Sequence, residues 1–146
     1  MKNDLNYNSC CNDGKTLVVD AKKESLDTVI DFLDEYLDSK NCDMKKKIQI
    51  QLSLEEIFIN VANYAYEGET GKAKITLNCE NETVSISVYD KGKEYNPLNI
   101  PDPDTTLSAE EREIGGLGIF LVRKNMDEVN YKYENSENVF TMKKKL

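Results

Sequence analysis

Two short runs constrain the fold of this chain more than any other feature. Lys74–Cys79 and Thr83–Asp90 each alternate apolar and polar side chains with a period of two, on either side of Glu80-Asn81-Glu82. Alternation of that kind around a polar break predicts a β-hairpin, so the sheet must be at least partly antiparallel. Parity then fixes a face. Val84, Ile86, Val88 and Asp90 lie on the same side of the second strand, and because the first three must face a core, Asp90 points inward at the strand's end. A buried carboxylate is costly unless a donor reaches it. The amino group of an adenine would supply that donor, and Gly92 would let the backbone come close to a flat ligand. A plain Asp-x-Gly turn is the alternative.

The remaining elements follow from spacing. Thr16–Asp20 is a short β-rich run, and Ser25 is placed to cap a helix whose Leu26, Val29, Ile30, Leu33, Tyr36 and Leu37 recur at helical intervals. A longer helix is predicted from about Met44 to Tyr66, ended by Gly68 and Gly71. All three prolines fall between residues 93 and 114 in a stretch without periodicity, which predicts a long loop and a candidate lid over a site. Leu117–Met126 reads as a third helix, followed by strands Glu128–Tyr133 and Val139–Met142 joined around Asn135-Ser136-Glu137. Residues 1–13 are polar and aperiodic, and predict a disordered N-terminal tail ahead of a single domain over 14–146.

Charge and composition remove whole classes of function. Nineteen basic against 27 acidic residues leave a net charge of −8, a field that opposes direct binding to nucleic acid or to anionic lipid. No run approaches the roughly 18 apolar residues of a membrane span, and the first residues hold no apolar signal segment, so a cytoplasmic location is expected. The four cysteines, Cys10, Cys11, Cys42 and Cys79, form no C-x-x-C pair, and the chain has no histidine. Nucleophile systems that depend on histidine are thereby excluded. A carboxylate or lysine is left as general base near neutral pH.

The long helix offers such a carboxylate. At about 100° per residue, Gln49, Ser53, Glu56, Asn60 and Asn63 form one polar stripe. Apolar residues border it on both sides, so the stripe is expected to be partly buried and to need polar partners, which neighbouring backbone or water would also supply. Glu56 and Asn60, at i and i+4, project side by side, so that an amide oxygen is available to a hard cation while a carboxylate one turn away accepts a proton. Glu55 is turned toward solvent. Further on, Gly115-Gly116-Leu117-Gly118 opens the third helix, where backbone N–H groups converge on an anion. It matches neither a Walker A loop nor a dinucleotide fingerprint.

Taken in order, Glu56-x-x-x-Asn60 with Tyr64 and Tyr66, Asp90-x-Gly92-x-x-Tyr95-Asn96-Pro97, and Gly115-Gly116-Leu117-Gly118 running on to Met126-Asp127-Glu128-Val129 resemble the N, G1 and G2 boxes of the Bergerat ATP-binding fold. The likeness is greatest to the anti-sigma factor serine/threonine kinases and spans roughly residues 15 to 145. It implies an α+β, two-layer sandwich: a mixed, mostly antiparallel sheet covered by about three helices on one face. It also implies ATP or ADP with Mg²⁺, Asn60 as the metal ligand, Glu56 as the catalytic base and Asp90 against the adenine. Cofactor contacts are implied for Asn60, Asn63, Gly92, Tyr95, Gly115, Gly116, Leu117 and Gly118, and from the lid for Thr105, Thr106 and Arg112. The partners implied are a sigma factor or other regulator and an anti-anti-sigma antagonist, with a possible homodimer. The alternative is a nucleotide-gated binding module without phosphotransfer. Ile59 and Tyr64 stand where the family often has Thr and His or Lys.

Overall fold

The computed structural model describes residues 14–99 and 114–146. The expected tail and the three lid residues Thr105, Thr106 and Arg112 lie outside them. Strands β1 (Lys15–Asp20), β2 (Lys72–Glu80), β3 (Thr83–Asp90), β4 (Glu128–Glu134) and β5 (Glu137–Lys145) make one sheet in the order β1-β2-β3-β5-β4. Helices α1 (Leu26–Ser39), α2 (Met44–Tyr64) and α3 (Ile114–Asn125) join the inner face of that sheet in a single core.

Both hairpins turn on two residues held at positive φ. Asn81 and Glu82 have φ of 53° and 64°, and Asn135 and Ser136 have 56° and 62°. Two successive positive φ values match the right-handed twist of paired strands. These tight turns let β2 and β3 pair from Glu80↔Thr83 back to Ala73↔Asp90. In the second hairpin pairing begins at Glu134↔Glu137, so β5 starts two residues before the strand predicted from Val139.

Every strand pairing is antiparallel, where a mixed, mostly antiparallel sheet is expected. The reason is topological. α1 and α2 form an out-and-back pair between β1 and β2, so the chain re-enters the sheet reversed. α3 links β3 to β4, which run the same way, but β5 inserts between them and pairs antiparallel with both.

Helix starts also differ from expectation at one point. Ser25 makes no side-chain cap, because a 3₁₀ turn at Lys23–Ser25 already holds it in helical conformation when α1 begins. Asp43 does cap α2, accepting from Lys46 N at 2.9 Å. The cap fixes the start of the helix that carries the polar stripe. On its core side Ile50, Leu54, Ile57, Phe58 and Val61 are buried against the inner residues of β2, β3 and β5. Truncating Phe58, which is fully enclosed, would cost about 3–5 kcal/mol. That packing sets the rotation of α2, and with it the directions of Glu56 and Asn60.

Candidate functional site

The inward carboxylate predicted by parity is present. Asp90 is 6% exposed, and its Oδ1 accepts from Gly92 N and from Asn138 Nδ2, each at 2.9 Å. Among the described residues nothing donates to Oδ2, although Asp90 lines a cavity of about 350 Å³. Burial pushes its carboxyl above the usual range, the bonds from Asn138 and Gly92 oppose the shift, and Glu137 adds to it. An acceptor without a described protein donor beside a cavity is open to a donor from a ligand or from water.

The cavity is otherwise largely apolar. Ile57 and Val61 of α2 with Ala65 just after it form one wall, Val88 of β3 and Phe140 of β5 the opposite one, and Tyr64, Tyr95, Pro97 and Tyr131 are also in the lining. Its volume lies within the roughly 300–1,000 Å³ of small-molecule sites, and a few polar groups among apolar walls is their usual construction. Asn60 also lines it. Asn63, on the same stripe, is exposed and does not line the cavity.

A second hollow of about 280 Å³ lies between α2 and α3, lined among others by Ser53, Glu56, Gly118 and Val122. Asn60 lines the first space and Glu56 the second, one helical turn apart on α2. Burial raises the Glu56 carboxyl above its ordinary range, Asn60 pulls it back, and the neighbouring charge of Glu55 adds to the rise. Glu55 itself is exposed, which separates the two glutamates as helix geometry predicts. Ser53 is satisfied locally by its bond to Gln49 O at 2.9 Å.

The glycines explain how closely these parts approach. A Cβ at Gly118 would lie 2.1 Å from Glu56 Cδ, so the α3 backbone sits directly against the α2 carboxylate. A Cβ at Gly92 would lie 2.2 Å from Ala65 O, and Lys93 N donates to that same carbonyl at 3.1 Å. The close approach made by Gly92 is thus to the end of α2. Gly115, Gly116 and Leu117 lie in the first turn of α3.

Two residues of the site escape local sequence patterns. Asn138 pairs in register with Asp90 across β3 and β5. Tyr66 accepts at its hydroxyl from Lys91 N at 2.7 Å and donates to Lys72 O at 2.6 Å, bracing the start of the segment that carries Gly92. Asn138 lies on no motif, and Tyr66, although it stands beside the first one, is assigned no role there. Only the strand register or the close packing of Tyr66 on Gly71 reveals them.

Cation binding fits these donors in one way. Among the described residues no group of three or more Cys, Asp or Glu is clustered to hold a metal. A magnesium ion bound here would take the Asn60 amide oxygen together with phosphate oxygens of a ligand, the arrangement Mg²⁺ commonly adopts.

Comparison with known proteins agrees with this architecture. The family described as the histidine kinase-like ATPase domain matches residues 19–144. The serine/threonine-protein kinase BtrW of Bordetella bronchiseptica is 25% identical over 97 residues, 66% of this chain and 68% of that protein. The serine-protein kinase RsbW of Listeria monocytogenes is 26% identical over 99 residues, 64% of this chain and 63% of its own length. A crystal structure of RsbU and RsbW domains from Mycobacterium tuberculosis superposes with a TM-score of 0.63 at 18% identity, covering 90% of this chain and 32% of that one. The structural likeness speaks for the fold.

Proposed function

The chain belongs to the histidine kinase-like ATPase domain family, and from that membership we propose that it binds ATP with Mg²⁺ and phosphorylates a serine or threonine of an antagonist protein. The observation that carries this reading is Oδ2 of buried Asp90, which accepts nothing from the described residues, in a cavity lined also by Asn60, with Glu56 one helical turn away lining a second hollow. One space suits a base that offers an amino group. The other presents a carboxylate where a protein hydroxyl has room to enter.

In this reading Asp90 Oδ2 accepts from the adenine amino group, and Asn60 holds Mg²⁺, which supplies charge neutralisation at the phosphates. Backbone N–H groups in the first turn of α3, at Gly115 to Gly118, face the triphosphate. Glu56 takes the proton from the acceptor hydroxyl as its oxygen bonds to the γ-phosphorus, and the bond to the β,γ-bridging oxygen breaks to release ADP. The raised affinity of Glu56 for a proton suits that role. The names of the curated relatives as serine and serine/threonine kinases support phosphotransfer, and the partners that follow are a sigma factor or other regulator and its antagonist. No described helix is long and apolar enough to cross a membrane.

The test is label transfer from γ-labelled ATP to the antagonist. Replacing Glu56 by Ala is expected to lower the rate by about 10²–10⁴-fold while nucleotide affinity stays within a few-fold. An unchanged rate would remove Glu56 as the base. Tight nucleotide binding without transfer by the wild-type protein would reduce the chain to a nucleotide-gated binding module.

A further inference from the structure

Asn138 is 7% exposed, yet no hydrogen-bonding position on its side chain is idle. Its amide nitrogen donates to Asp90 Oδ1 and to Lys93 O, both at 2.9 Å. Its oxygen accepts from Tyr95 N at 3.0 Å and from the Tyr131 hydroxyl at 2.5 Å. An asparagine side chain offers two donors and two acceptor lone pairs, and all four are used. Reversing the amide would set oxygen against a carboxylate and a carbonyl, so the orientation is fixed by its neighbours.

The consequence falls on Asp90. Oδ1 already takes two bonds, from Asn138 and from Gly92, which fills its acceptor capacity. Oδ2 is left as the carboxylate oxygen that accepts nothing from the described residues. A carboxylate in that state cannot grip two adjacent donors, one on each oxygen. Guanine is commonly recognised by such a two-pronged grip on its N1–H and its amino group, whereas adenine presents one amino donor beside an acceptor nitrogen.

We propose that Asn138 is a specificity-determining positioning residue: by occupying Asp90 Oδ1 it makes the base pocket selective for adenine over guanine. The inference rests on the nucleotide reading above. Asn138 also lines the cavity, but all four hydrogen-bonding positions of its side chain are taken by the protein. It acts through Asp90, and by tying Lys93 and Tyr95 to β5 it also keeps the segment after Gly92 from opening the pocket to a different base orientation.

Calorimetric titration with ADP and with GDP tests this on the wild type, Asn138→Ala and Tyr131→Phe. Wild type is expected to prefer ADP. Asn138→Ala frees Oδ1, and the ADP-to-GDP preference is expected to fall about tenfold or more, the size of one hydrogen bond to a charged group. Tyr131→Phe removes one anchor of the amide and leaves its bond to Asp90, so the preference falls less, in the same direction. It also serves as the decisive variant if Asn138→Ala does not fold. Equal weakening of both nucleotides, with the preference kept, would overturn the inference and leave the adenine site standing. Failure of the wild type to bind either nucleotide would overturn the site and the inference together.

Discussion

The two ends of the site are built differently. Around Asp90 the polar groups are interlocked: Gly92, Lys93, Tyr95, Tyr131 and Asn138 meet in one network, and one carboxylate oxygen remains open. Around Glu56 the structure is looser. Its carboxylate is half-buried, one turn from Asn60 on its own helix and pressed against Gly118 of another. A base is recognised by fixed donors and acceptors, so a rigid pocket costs nothing at the moment of binding. A proton acceptor must change its bonding during a reaction, and a side chain held by one neighbour can do so.

The glycines give the sharpest way to break that contrast. Gly92→Ala would drive a Cβ into the Ala65 carbonyl, where the obstacle is backbone. It is expected to cost about 3 kcal/mol of stability, the upper range for overpacking, and to abolish nucleotide binding, read by denaturant unfolding and calorimetry. Gly118→Ala would first meet the end of the Glu56 side chain. The glutamate can swing away, and alanine is favoured in a helix by about 1 kcal/mol, so stability should change by less than about 1 kcal/mol. Phosphotransfer should fall by about tenfold or more, because the displaced group is the proposed base. If both variants lost stability equally, the two ends would be equally rigid and the contrast would fail.

A smaller effect separates the ends by pH. Burial raises the Asp90 carboxyl above its ordinary value, so the folded protein holds that proton to higher pH than the unfolded chain. Its contribution to stability is therefore full below the unfolded value and is lost as pH rises through the folded one. Asp90→Asn does not titrate. Without nucleotide, the wild type should lose stability relative to Asp90→Asn as pH rises from the ordinary carboxylate range toward neutrality, followed by thermal unfolding. A parallel course for the two proteins would mean that Asp90 is not held at a desolvation cost.

Much of this was legible from local pattern. Alternation in Thr83–Asp90 was enough to aim Asp90 inward, and helical spacing was enough to separate half-buried Glu56 from exposed Glu55. What local pattern could not carry was long-range register. Asn138 meets Asp90 only because β5 begins at Glu137, and 48 residues separate the pair. Likewise the neighbour of Gly92 is Ala65, brought there by the end of α2. Asn63 shows the opposite error. Its place on the polar stripe suggested burial, but the stripe runs out of the core in the last turn of the helix, where Tyr64 is exposed too. Ser25 was a reasonable cap by residue type, and a preceding 3₁₀ turn removed the need for one.

The central claim is that Asp90 Oδ2 is the acceptor for an adenine amino group, and ADP titration of the wild type against Asp90→Asn measures it most directly. The wild type should bind one ADP per chain, and Asp90→Asn, which keeps the shape and removes the charge, should bind it about 10–100-fold more weakly, as expected for a hydrogen bond to an ionised group. Equal affinity in the two proteins would contradict the account.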